Sequence, residues 1–253
     1  MHILTLSLVA LFTLATPVRA EDKPARAAVE RGLDFIQKYA VKWKKDRQCA
    51  TCHHGTFTVW AFAEAKKQGY AVSTDAVTEA TKWTKERLKD IDKPCDARPG
   101  WSMVNSPALN LAVMAVALPD QSALSAEELK QIAGHLLRHQ EVDGSWAWSS
   151  APAKNRPPPF FESDEVATLL GNLALGPQVP ADAKVKSEVR EAREKAAAWL
   201  AKTKPTNTTQ AAALRLLVKV RAGEAAKTWQ PEIDAFVAPR TGRRLGPTSG
   251  RCQ

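Results

Sequence analysis

The chain has 253 residues, 44% hydrophobic and 25% charged, a length and balance that allow one domain with a sizeable core. Its formal charge of +9 is spread along polar helical faces (Lys42, Lys44, Lys45, Lys66, Lys67, Lys82, Lys85). No basic run is interleaved with aromatic residues, so nucleic-acid binding is not indicated; the charge reads as solvated faces, with attraction to an acidic partner or an anionic membrane surface as the alternative.

Residues 1–20 read as a secretory signal. The apolar run Ile3–Val18 leads to Val18-Arg19-Ala20, with small residues at the positions a signal peptidase reads. The run is shorter than the ~20 residues a membrane span needs, and it contains Pro17. The mature chain is therefore expected to begin near Glu21, in the periplasm or outside the cell. No later segment is apolar enough to cross a bilayer.

From there the periodicity is helical and no strand pattern appears. Over Ala25–Lys44, Val29, Leu33, Ile36, Ala40 and Trp43 recur every three to four residues. Next comes Cys49-Ala50-Thr51-Cys52-His53-His54, in the connection to a helix over Thr56–Gln68 that stops at Gly69. Ser73 or Thr74 caps a helix carrying Ala76, Ala80, Trp83 and Leu88. A loop over Asp90–Gly100 precedes a helix over Pro107–Leu118. Ser125-Ala126-Glu127-Glu128 is a capping box opening a helix to about Gln140. On that helix His135 and His139 share a face and are expected at the surface. The Pro-rich stretch Arg156–Pro159 breaks the chain before Glu162–Leu175. Lys184–Lys202 and Thr208–Arg221 follow, with an incipient helix at Trp229–Val237. Ala238–Gln253 is basic, aperiodic and rich in Gly and Pro, the composition of a disordered or aberrant tail.

The second helices of successive pairs resemble one another: Thr58–Ala65, Leu109–Val116, Val166–Leu173 and Gln210–Leu217. They recur at roughly 50-residue intervals, the mark of a repeat architecture. A single hairpin cannot hide its apolar face, so neighbours must stack. The expected fold is all-α, four to five stacked αα-hairpins over residues 21–237.

The Cys49–His54 run has the order of a c-type haem attachment site. Two thiols two residues apart can each form a thioether to a porphyrin vinyl group, and the adjoining His53 can ligate the iron. His54 is a further candidate ligand. Phe57, Trp60 and Phe62 would offer the haem an apolar wall, although packing is expected to account for most of the aromatic residues. Two other readings use the same residues. Zinc would take Cys49, Cys52 and His53 or His54, completed by Cys95. An oxidising compartment would also allow a Cys49–Cys52 disulfide. Met103 is a candidate distal ligand for a haem, while Met114 reads as core.

Gln140-Glu-Val-Asp143-Gly144-Ser145-Trp146, preceded by Gly134-His-Leu-Leu137, resembles the Gln-Trp repeat of the squalene–hopene and terpene cyclase family. Gly32–Gln37, Trp83 with Trp101, and Trp199-Leu200 read as eroded copies of that unit. The resemblance covers most of residues 25–222 and implies an incomplete α/α toroid whose inner helices line a cavity. The Cys-x-x-Cys-His run at the first hairpin is similar to the variant found in exported bacterial members. The resemblance also touches Glu162-Ser163-Asp164-Glu165-Val166-Ala167, where hopene cyclases carry an Asp-x-Asp-Asp-Thr-Ala acid motif. By position it implies Asp164 as proton donor, flanked by Glu162 and Glu165, with Glu in place of Asp twice and Val166 in place of Thr. The same acids also suit the first turn of a helix.

Three functions follow from these residues. The first is an exported c-type haem protein working in electron transfer or redox sensing, with a redox partner protein or a small apolar ligand. The second is a terpene cyclase/mutase-like isomerase acting on an isoprenoid through Asp164. The third is a non-catalytic scaffold with zinc or a disulfide at Cys49 and Cys52.

Overall fold

The computed structural model describes residues 23–47, 55–90, 124–147, 163–176, 179, 182–206 and 208–237. Among these the regular structure is all helical, with no strand. The helices are α1 (Lys23–Arg47), α2 (Thr56–Lys67), α3 (Thr74–Lys85), α4 (Ala126–Arg138), α5 (Ser163–Ala174), α6 (Ala183–Lys202), α7 (Thr209–Arg221) and α8 (Ala226–Val237). A 3-10 turn, Glu86–Asp90, continues α3. The helix expected over Pro107–Leu118, the signal at 1–20, the Pro-rich break and the tail at 238–253 lie outside the described residues.

Short polar side chains start four of these helices. The Ser73 hydroxyl accepts from Ala76 N–H, Asp182 from Lys184 and Val185 N–H, and Thr208 from Ala211 N–H. At α4 the capping box is complete: Ser125 Oγ accepts from Glu128 N–H at 3.2 Å, and Glu128 accepts from Ser125 N–H at 2.7 Å. Each such cap contributes about 1 kcal/mol by satisfying amides that the helix leaves open. The stop after α2 is Gly69, whose φ of 77° suits a residue without Cβ. The segment at Trp229–Val237, read as incipient, is a full helix beginning at Ala226.

Packing follows the apolar faces. α1 lies on α2, and α2 on α3. The Arg26 guanidinium donates to the Gly69 carbonyl at 3.2 Å and stands 4.8 Å above the Tyr70 ring, so the start of α1 meets the end of α2. α5 packs on both α6 and α7, α4 packs on α6, and α7 carries α8. Alternate helices are thus neighbours, α4 beside α6 and α5 beside α7. Every residue from Glu165 to Gly176 is buried.

One core cluster runs from Val59 and Ala63 in α2, through Ile132 and Leu136 in α4 and Leu169 and Leu170 in α5, to Leu214 in α7. Two polar contacts join its halves. Lys85 Nζ reaches Glu128 at 2.8 Å, and Gln131 Nε2 donates to the Leu88 carbonyl at 3.2 Å. Burial works against the Glu128 charge, yet Lys85 and Ser125 hold the carboxyl below its ordinary range.

Magnitudes say which contacts decide the fold. Each fully buried Leu, Ile or Val contributes about 1.5–3 kcal/mol. Each exposed α1 pair, such as Lys38–Asp34 at 2.7 Å, contributes about 0.2–1 kcal/mol. Leu170→Ala is therefore expected to cost about 2–5 kcal/mol in urea unfolding, while Phe35→Ala on exposed α1 stays within about 0.5 kcal/mol.

Candidate functional site

The Cys/His run connects two helices that pack on each other. Cys49, Cys52, His53 and His54 lie outside the described residues, and so do Cys95 and Met103; what is described is their frame. α1 ends at Arg47 and α2 opens at Thr56 after Gly55. The opening of α2 is anchored, with Gly55, Thr56, Thr58 and Val59 all buried. On the adjoining face Phe57 and Trp60 are half-buried and stacked, their ring centroids 6.1 Å apart and tilted by 19°. Phe62 differs from the expected haem wall. It is 2% exposed and, with Trp83, Ala40 and Ala80, lines a cavity of about 30 Å3 between α1, α2 and α3. It belongs to the core because it sits three residues beyond Val59 on the buried face. Among the described residues no group of three or more His, Cys, Asp or Glu could hold a metal ion.

The Gln140–Trp146 turn ties three helices together. Gln140 Nε2 donates to the Gly144 carbonyl at 3.0 Å and to the Ala192 carbonyl of α6 at 2.8 Å. Asp143 Oδ1 accepts from Ser145 N–H at 3.0 Å and from the Ser145 hydroxyl at 2.7 Å, and Oδ2 accepts from the Trp199 indole N–H of α6 at 3.0 Å. Trp146 is buried. Its amide donates to Thr168 Oγ1 of α5 at 3.0 Å and its indole N–H to the Leu136 carbonyl of α4 at 2.9 Å. Two glycines make this approach possible. Gly144 has φ 94°, and a Cβ there would stand 2.5 Å from the Lys195 carbonyl oxygen. A Cβ on Gly171 would stand 2.8 Å from the Trp146 ring.

The acids at the start of α5 separate. Glu162 lies outside the described residues. Asp164 is half-buried, and its carbonyl accepts from the Thr168 hydroxyl at 2.7 Å. Glu165 is 3% exposed and turns inward. One of its oxygens accepts from Arg215 Nε, with Arg215 Nη2 beside it. The other accepts from Thr206 N–H at 2.9 Å and from the Thr206 hydroxyl at 2.7 Å. Consecutive helical residues do not face each other, so Glu165 does not crowd Asp164. This placement makes Glu165 a tie between α5, α7 and the 203–208 connection.

His135 differs from expectation too. It is 3% exposed, in the buried arc with Ile132, Ala133 and Leu136, and only His139 is at the surface, its ring 4.2 Å from that of His135. Arg215 carried a signal that periodicity overlooks. It is a lone cation within Ala211–Val218, where an unpaired charge would be costly, so the apolar run itself asks for a buried acid.

Comparison of the chain with protein-family models, curated proteins and solved structures finds no match.

Two tests follow from this geometry. Arg215→Met leaves the Glu165 carboxylate buried without its cation and is expected to cost about 3–5 kcal/mol by chemical denaturation; adding Glu165→Gln recovers part of that loss. Burial pushes the Asp143 carboxyl up, but the Ser145 N–H and hydroxyl and the Trp199 indole hold it below its ordinary value. A depressed carboxyl contributes stability above its unfolded pKa of about 3.9 and loses it as pH falls through the folded value. Asp143→Asn, whose amide can turn a donor toward Trp199, is expected to lose about 1 kcal/mol at neutral pH. Below about pH 4 its stability and that of the wild type should converge.

Proposed function

We propose that the chain is an exported haem c protein built on an incomplete α/α toroid, with a role in electron transfer or redox sensing. Cys49 and Cys52 are the thioether anchors, and His53 is the axial ligand. The observation that carries this reading is the order of the donors: two thiols two residues apart, then an imidazole, in one connection between packed helices. The surroundings suit the group. The half-exposed Phe57–Trp60 stack presents apolar surface next to the segment, and the buried start of α2 holds the segment's end. When bound, the haem supplies one-electron chemistry at a potential set by its axial ligands and by burial.

The alternation of neighbours, α4 beside α6 and α5 beside α7, supports the ring of hairpins. The Gln140–Trp146 turn supports it further by fastening successive pairs. A second redox protein is the natural partner in this reading.

Expression in a host that matures c-type cytochromes tests the assignment. The purified chain is expected to show a Soret band that denaturation does not strip away, and Cys49→Ala with Cys52→Ala is expected to abolish it. A colourless chain holding stoichiometric zinc would replace haem with a metal clip. A colourless, metal-free chain with Cys49 and Cys52 joined would leave a scaffold.

A further inference from the structure

We infer that α1 is a membrane-surface helix that lays its outward face on anionic lipid. The inference is independent of the haem assignment and rests on how α1 distributes its side chains. One face meets α2 and α3 through Ala40, Gln37 and Lys44, with Lys44 reaching Glu79 at 2.7 Å. At about 100° per residue the opposite face carries Ala28, Gly32, Phe35 and Tyr39. Phe35 is 64% exposed and Tyr39 43%, and their rings stack in parallel with centroids 5.6 Å apart. Trp43 continues the ladder 6.4 Å beyond Tyr39. Phe35 and Tyr39 are exposed and lie outside the core cluster, while Trp43 is half-buried.

The charges beside the ladder select the occupant. Arg31, Lys38 and Lys45 recur every seven residues along one edge, with Lys42 between them; all are exposed, and Lys38 and Lys42 each pair with a carboxylate on the same helix, Asp34 and Asp46. α1 as a whole carries eight basic side chains against three acidic ones. Two copies of the chain, paired antiparallel through the ladder, would set the Arg31–Lys38–Lys45 rows against each other, like charge facing like charge. A surface of anionic head groups matches the row instead. Aromatic rings then enter the boundary between head groups and acyl chains, as in interfacial helices with Lys and Arg on the polar side. The position in the chain agrees. α1 begins at Lys23, five residues after the apolar run Ile3–Val18, which reads as an export signal. Among the described residues no helix is long and apolar enough to cross a bilayer, so α1 would lie on the surface.

The test is flotation of the full exported chain with vesicles of phosphatidylcholine alone and of phosphatidylcholine with phosphatidylglycerol, at low and high salt. Binding is expected only with phosphatidylglycerol, and it should weaken with salt. Phe35→Ser with Tyr39→Ser, and separately Lys38→Gln with Lys45→Gln, should each lower partitioning at least about tenfold. Circular dichroism should stay unchanged, because both pairs are exposed. Absence of binding to either vesicle overturns the inference and leaves the ladder to an acidic protein helix. Equal binding to both vesicles, or binding that survives either double substitution, overturns it as well. Concentration-dependent dimers lost in the aromatic variant would assign the face to a second copy.

Discussion

Trp146 pressed against the bare backbone of Gly171 is the contact on which the arrangement of the C-terminal helices depends. A large ring can approach α5 so closely only where there is no Cβ, and the ring is then held by its own polar atoms. Its amide is fixed to α5 and its indole N–H to the end of α4. Gln140 and Asp143 carry the same turn across to α6. Seven consecutive residues thus connect three helices through directional bonds, where apolar packing alone would permit sliding. The turn is a fastener, and its chemistry is structural.

The second fastener is the Glu165–Arg215 pair with Thr206. A buried ion pair is weak evidence of net stability, because desolvation offsets the attraction. What it does add is register: the carboxylate accepts from α7 and from the 203–208 connection at once, so α5 and α7 meet in one relative position. The two fasteners flank α5, the most buried of the described helices. At the other end, α1 and α2 are joined by side-to-side packing and by Arg26 on Gly69 and Tyr70. Those contacts fix the end of the pair opposite the Cys/His connection; at the connection itself, the start of α2 is buried at Gly55, Thr56, Thr58 and Val59.

Much of this was legible locally. Ser73, Ser125 and Thr208 announce their helices because capping is a contact between a side chain and an amide two or three residues away. The all-helical character follows from period, and the Gln-Trp turn from its contiguous residues. Contacts that join distant parts of the chain were not legible. Glu165 and Arg215 are 50 positions apart, and nothing in the spacing of the three acids says that one of them turns inward. His135 differs from the surface position expected because the buried arc of α4 runs from Ala133 through Leu136 and past Ile132 to include it, a width that tertiary packing decides. Between a cofactor wall and core packing for Phe62, its helical phase with Val59 decides for the core. The Cys/His run was legible for the opposite reason: its donors are adjacent, and its meaning depends on order alone.

The account's central claim is that Cys49 and Cys52 carry a porphyrin. Peptide mapping by mass spectrometry, on the chain from a host able to attach haem, examines that claim at the two sulfurs themselves. The account predicts that the peptide spanning Cys49–His54 carries the mass of one haem through two thioethers. The same peptide recovered at its unmodified mass, or with Cys49 and Cys52 joined to each other, would contradict it.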